Sequence, residues 1–197
     1  MRKLVFFVGG AGAGKTTLAK ALARKRGAAV FDMDTMLRPA AVQIMTVAGL
    51  DPNDRDSEDY KKLCRDLGYR ITMDAALENV GVGTDAFVIG PFTKEISDPS
   101  WIVKELASAG FSLDDVDVKA VVVYLQDEAM HYSRIEERGL ATDQYKLVHW
   151  DSFSRSLGRR SLAWELPESS VLYYDNSRPF DEAALERLEE FVYGDVI

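Results

Sequence analysis

Residues 9–16 read GGAGAGKT, a glycine-rich loop closed by a lysine and a threonine. The spacing fits G-x-x-x-x-G-K-[ST], with Gly9, Gly14, Lys15 and Thr16 in the defining places. The chemistry this supports is phosphate binding. Glycines let the backbone turn with positive φ, which brings successive N–H groups close to phosphate oxygens. A helix opening near Gly14 adds its positive end to the same anion. Lys15 would reach the β- and γ-phosphates of a nucleoside triphosphate, and the Thr16 hydroxyl would ligate Mg²⁺. The expected nucleotide contacts are Gly9, Ala11, Gly12, Ala13, Gly14, Lys15, Thr16 and Thr17, with ATP and Mg²⁺ as the cofactors.

A second constellation lies in VFDMDTMLR. Asp32 and Asp34 are two apart, so on an extended segment they share a face. Phosphoryl transfer to an alcohol uses a carboxylate to orient and deprotonate the hydroxyl. It also needs oxygen ligands around Mg²⁺. Asp34 is assigned here as the base, and Asp32 as the Mg²⁺-side or second substrate contact. Capping of the following helix is the alternative role for either.

Cationic candidates follow. Arg134 and Arg138 are four apart and share one helix face. A transfer site needs mobile positive charge to neutralise the moving group and exclude water. Arg155, Arg159 and Arg160 form a second cluster, any of which could complete such a lid. Arg38 and Arg70 lie in the insert that would shape acceptor specificity, and Phe92, Thr93 and Lys94 after the third strand could line the acceptor pocket. Asn176 and Ser177, in YYDNSRPF, stand in turn chemistry after the fifth strand. His131 and His149 are isolated and are read as structural, as are Trp101, Trp150 and Trp164, with stacking on an acceptor as a second role open to Trp150.

These residues need a scaffold. Five short apolar runs, at 4–8, 29–31, 86–89, 118–125 and 171–174, read as buried parallel strands. Helical patterns at 16–25, 37–48, 57–79, 101–109, 128–138 and 181–193 alternate with them, as in βαβ units. Residues 51–56 are polar and contain a proline, so they read as a loop. The expectation is one domain, with an acceptor-binding insert at about 36–80 and a lid at about 134–165.

The loop, the D-x-D and the paired arginines resemble the nucleotide-kinase-like branch of P-loop proteins. That branch includes shikimate and gluconate kinases, chloramphenicol phosphotransferase, zeta-toxin kinases and AAA_33-type kinases. The resemblance implies a three-layer α/β P-loop fold with a five-stranded parallel sheet in the order 2-3-1-4-5. It implies D-x-D carboxylates that contact the acceptor hydroxyl and the Mg²⁺ shell. It also implies one lid arginine, Arg134, packed on the adenine and a second, Arg138, reaching the phosphates, with Asn176 and Ser177 as base contacts and an arginine such as Arg38 or Arg70 holding the acceptor. One departure stands out. The third strand ends in Gly90, Pro91 and Phe92, where a Walker B strand ends in an acid. That argues against an ATP-hydrolysing motor and leaves the metal duty to Thr16 and Asp32.

Bulk composition narrows the partners. The 197 residues carry 24 Lys+Arg against 32 Asp+Glu, a net charge of −8. Long nucleic acid and anionic membranes demand a positive surface, so neither is expected as the main partner. The lone Cys64 cannot staple the fold, and no Cys/His spacing suits a metal. No run is long enough to span a bilayer, and the expectation is a cytoplasmic protein. The expected activity is an ATP- and Mg²⁺-dependent kinase acting on a hydroxyl of a small molecule. A kinase of nucleotides, nucleotide-sugars or polynucleotide ends is an alternative. So is a non-catalytic ATP-binding switch, which would have no need of Asp34.

Overall fold

A computed structural model describes residues 1–194. Its centre is β1 (Arg2–Gly9), whose residues Leu4 to Val8 are fully buried. β1 is followed by α1 (Lys15–Arg26), β2 (Ala29–Asp32) and α2 (Met33–Val47). Next come α3 (Glu58–Tyr60), a π-helical turn (Lys61–Arg65) and α4 (Asp66–Gly81). β3 (Ala86–Gly90), α5 (Trp101–Ser108), β4 (Val116–Tyr124) and α6 (Glu128–Glu137) follow. The last elements are the short α7 (Gln144–Val148) and α8 (Trp150–Phe153), then β5 (Val171–Asp175) and α9 (Glu182–Tyr193).

The five strands form one parallel sheet in the order β2-β3-β1-β4-β5. This is the three-layer P-loop fold. Alternation along β1 shows why both faces are apolar. Leu4, Phe6 and Val8 enter one core with Met73, Leu77, Ile102 and Leu106. Val5 and Phe7 enter the other with Leu18 and Leu22 of α1 and Leu188 and Val192 of α9. A parallel sheet covered on both sides needs that pattern. Gly9 pairs with Val123, so the loop leaves the sheet at the carboxyl edge, between β3 and β4. In open parallel sheets, ligands bind beyond that edge.

The expected elements are all present, and three details differ. First, α2 begins at Met33 rather than near 37, directly after the strand. Asp32 is its N-cap, and Asp34 therefore sits in a helical first turn. The expectation that the two aspartates share a face of an extended segment is corrected accordingly. Second, the single helix expected over 57–79 is interrupted by the π turn. The Ser57 hydroxyl caps its start by accepting from the Tyr60 N–H at 3.0 Å. Third, the fourth strand runs over Val116–Tyr124, two residues earlier at its start than the expected 118–125. A small third core of Leu37, Ala41, Met45, Tyr60 and Cys64 joins α2 to the π turn, so Cys64 is a buried free thiol. Among the described residues, no helix is long and apolar enough to cross a membrane.

Candidate active site

The phosphate loop has a conformation that only glycine permits at its ends. Gly9 has φ 142°, and a Cβ there would stand 2.1 Å from the Val123 carbonyl oxygen. Gly14 has φ 97°, and a Cβ there would stand 2.2 Å from Asn176 Nδ2. Three side chains engage the loop carbonyls. Lys15 Nζ donates to the Gly10 carbonyl at 2.7 Å. His131 Nδ1 bonds the Ala11 carbonyl at 2.7 Å, and Asn176 Nδ2 donates to the Ala13 carbonyl at 2.8 Å. The carbonyls are thus turned into the protein. The first-turn amides of α1 have no acceptor within the helix, and no side chain caps it. That leaves amide N–H groups to meet an anion.

Lys15 is the charge at the centre. Burial lowers its pKa to about 8. Of the surrounding charges, the Asp34 carboxylate favours the ammonium most, and Arg138 opposes it. Thr16 Oγ1 donates to Asp32 Oδ2 at 2.9 Å, while Asp32 Oδ1 accepts from the Asp34 N–H at 3.1 Å. Asp32 therefore both caps α2 and faces Thr16. The Asp34 side chain is exposed in the cleft.

The cleft has a volume of about 780 Å³. Its walls include Gly12, Gly14, Lys15, Thr16 and Thr17 from the loop and α1, with Asp32, Asp34 and Arg38 from β2 and α2. Arg134, Arg138, Asp143 and Lys146 enter from α6 and the segment after it, and Asn176 and Arg178 from beyond β5. Arg134 donates to the Asn176 carbonyl at 2.9 Å. Arg138 donates through two nitrogens to Asp143, which also takes Lys146 at 2.9 Å. Burial opposes the Asp143 charge, but the bonds from Arg138 and Lys146 prevail and hold its carboxyl below the usual range.

Several expected contacts lie elsewhere. Arg70 does not reach the cleft, because its guanidinium pairs with Asp74 at 2.7 Å and Glu105 at 3.0 Å. Phe92 is fully buried among Phe6, Tyr69 and Trp101. Its φ of 44° is a left-handed conformation for a non-glycine residue, held by an N–H bond to the Tyr69 hydroxyl at 3.1 Å. The Ser177 hydroxyl accepts from the Gln126 N–H, away from the cleft. Of the second arginine cluster, Arg159 stacks on Tyr173 at 4.3 Å. Arg160 donates to the Pro91 carbonyl at 3.2 Å, and its charge bears on Lys15. The acid nearest the end of β3, Glu95, is taken by Arg65 at 2.9 and 3.0 Å. Trp101 and Trp164 stack on one another at 5.3 Å as core anchors.

Two residues were missed or underrated in the sequence. Arg55 lines the cleft from the loop at 51–56, which composition marked only as a turn. His131 is 2% exposed and pins the phosphate loop from α6. Its spacing to Ala11 carries no local signal.

The residues present fit a nucleoside triphosphate and a hard cation. A Cβ would clash at Gly9 and Gly14, the amide-lined helix end is uncapped, and among the described residues Lys15 has no carboxylate within ion-pair distance. Thr16 Oγ1 and an Asp32 oxygen form an adjacent pair of oxygen donors of the kind Mg²⁺ takes. Among the described residues, no group of three His, Cys, Asp or Glu side chains could hold a metal alone. A cation here would rely on phosphate oxygens for much of its coordination.

No protein-family model matches the chain, and no curated protein matches its sequence. Solved structures do match in fold. A sugar kinase from Janibacter sp. aligns with TM-score 0.61 at 16% identity, covering 98% of this chain and 97% of that one. A putative kinase from Chloroflexus aurantiacus aligns with TM-score 0.65 at 15% identity, over 96% and 94% of the two chains. A gluconokinase from Sinorhizobium meliloti aligns with TM-score 0.52 at 18% identity, over 98% of each. The chain has the fold of the small P-loop kinases, over nearly its whole length.

Proposed function

We propose that this chain is an ATP- and Mg²⁺-dependent phosphotransferase that moves the γ-phosphoryl group to a hydroxyl of a small molecule. The observation that carries this reading is the convergence of Lys15, Asp34 and Arg138 on one cleft. A module that only bound triphosphate would need the loop and Lys15, but not an open carboxylate beside them. Two of the structural neighbours are named as a sugar kinase and a gluconokinase, which supports a hydroxylated acceptor of small size.

In this reading each residue of the cleft has a role. Loop amides and Lys15 hold the phosphates, Arg134 on α6 packs on the adenine, and Arg138 at the end of that helix reaches the phosphates as the start of a lid. Thr16 and Asp32 would hold Mg²⁺, which when bound neutralises phosphate charge. Asp34 orients the acceptor hydroxyl and takes its proton as the new O–P bond forms. The bond from the γ-phosphorus to the bridging oxygen breaks, and ADP leaves. The work is positioning and charge neutralisation, as phosphoryl transfer requires.

A screen for acceptor-dependent ATP consumption, across metabolites and antibiotics, tests the reading. One or more hydroxylated compounds should raise turnover well above the rate with water alone. ATP consumption that no acceptor changes, at a rate equal to the hydrolysis background, would count against it.

A further inference from the structure

Arg138 ends α6, and the chain turns at Gly139, which has φ 59°. Asp143, five residues on from the arginine, comes back against its guanidinium. Arg138 Nε and Nη2 both donate to the Asp143 carboxylate, the second of them to Oδ1 at 2.6 Å. That pairing uses one side of the group. A guanidinium carries five N–H donors in a rigid fork. Both Nη1 hydrogens and the other Nη2 hydrogen are left, at the end of the side chain. This end face can take phosphate oxygens in parallel bonds. Among the described residues, Nη1 makes no hydrogen bond within the protein. Asp143 therefore fixes Arg138 without occupying the edge that would meet an anion.

Asp143 is in turn held from the insert. Its carboxyl is buried, whereas the Arg138 side chain is 39% exposed. Its Oδ1 also accepts from Lys146 Nζ at 2.9 Å. Lys146 Nζ stands 3.9 Å from Asp56 Oδ2, in the loop before α3. Among the described residues, that Asp56 oxygen is buried without a hydrogen-bond partner, so the Lys146 charge is what compensates it. The contacts run from Arg138 through Asp143 and Lys146 to Asp56, and they join the segment after α6 to the insert. His131 and Arg134 fix α6 itself, to the phosphate loop and to Asn176.

Two effects oppose each other here. The Asp143 charge lines a cleft that takes phosphate, and alone it would repel the anion. Two cations, Arg138 and Lys146, already compensate that charge. The ordering of a long, half-open arginine before phosphate arrives is then the larger effect.

We infer that Asp143 is a positioning residue, which presents the end face of Arg138 to the γ-phosphate and is anchored from the insert by Lys146 and Asp56. This rests on the role proposed above for Arg138 and adds the residues that set its geometry.

The test needs no acceptor. The full chain with Mg²⁺ is titrated by calorimetry with ADP and with a non-hydrolysable ATP analogue. The ratio of the two affinities reports what the γ-phosphate adds. Asp143→Asn should lower that ratio about threefold to tenfold, the effect of ordering one long side chain, with ADP affinity little changed. Arg138→Ala should lower it at least as far, and Asp143→Asn added to it should change nothing more. Asp56→Asn should lower the ratio about twofold, and it carries the test if Asp143→Asn does not fold. A ratio that rises in Asp143→Asn would mean that the carboxylate keeps Arg138 from phosphate, and it overturns the inference. An unmoved ratio overturns it too, as does an equal loss of ADP and analogue affinity, which marks structural support alone. A further loss in the Arg138→Ala background has the same meaning. An unmoved ratio in Asp56→Asn, beside a lowered one in Asp143→Asn, overturns the anchor from the insert. A lowered ratio in a chain that phosphorylates no acceptor upholds the inference and counts against transfer. Transfer with an unmoved ratio does the reverse.

Discussion

Asn176, at the end of β5, donates from Nδ2 to the carbonyl of Ala13 at 2.8 Å, while its own backbone carbonyl accepts from Arg134 at 2.9 Å. One buried residue thus ties the phosphate loop to α6. The arrangement leaves no room for a side chain at Gly14. Gly14→Ala should break the Asn176 bond and force a non-glycine residue to φ 97°. The expected cost is ~2–3 kcal/mol of stability, the sum of the left-handed strain and a lost hydrogen bond. Chemical denaturation of the variant measures the loss, and nucleotide affinity should fall with it. An unchanged denaturation midpoint would contradict the packing described here.

Lys15 gives a pH signature. Burial lowers its pKa to about 8, so the free protein loses this ammonium as pH rises past that value. The charged form is the one that attracts phosphate. Triphosphate affinity should therefore hold below pH 8 and fall above it, by up to about tenfold per pH unit. Fluorescence titration with a labelled ATP analogue from pH 7 to 9 reads this directly. Lys15→Ala should remove the dependence along with most of the affinity. A flat wild-type profile would contradict the assignment.

The placement of these groups was largely legible in the sequence, because the information is local. GGAGAGKT is contiguous, the aspartates follow a strand by one step, and Arg134 and Arg138 are one helical turn apart. Strand order followed from the resemblance. The far wall of the cleft was less legible. Arg55 sits in a polar loop whose composition says only that it turns, whereas Arg70 sits on a helix and faces Glu105, a residue 35 positions away. Whether an arginine is neutralised or left open depends on such distant partners, which spacing does not encode. Phe92 is a similar case. Its neighbour Tyr69 draws it into the core by accepting its N–H, so a residue at the sheet's active edge is not part of the cleft.

His131 shows the same limit, and it makes a prediction of its own. Its Nδ1 bonds the Ala11 carbonyl, its Nε2 is buried without a partner, and burial lowers its pKa below the ordinary 6.5. As pH falls below about 6.5, the unfolded chain takes up a proton that the folded chain resists. Stability should therefore drop with falling pH through that window. His131→Gln removes the titration, so its melting temperature should change less between pH 6.5 and 5. Parallel curves for the two proteins would contradict the buried neutral imidazole.

Asp143 works in the opposite sense to a free surface acid. Its carboxyl is 1% exposed and is held ionised by Arg138 and Lys146. A depressed carboxyl stabilises the fold above its ordinary value of 3.8, and the contribution is lost as pH falls through the lower folded value. Asp143→Asn should cost ~1–2 kcal/mol near neutral pH, discounted because Arg138 is partly exposed, and should flatten the acid limb of the stability curve. Denaturation at pH 7 and at pH 3 measures both effects.

In the proposed transfer, the open carboxylate of Asp34 takes the acceptor's proton. The most direct measurement compares wild type with Asp34→Asn, using an acceptor found in the screen and γ-labelled ATP. Asparagine keeps the size and loses the basic oxygen. ATP affinity should stay near-unchanged while kcat falls roughly a hundredfold or more, the range for general-base catalysis. Equal label transfer by the two proteins, at matched ATP occupancy, would contradict it.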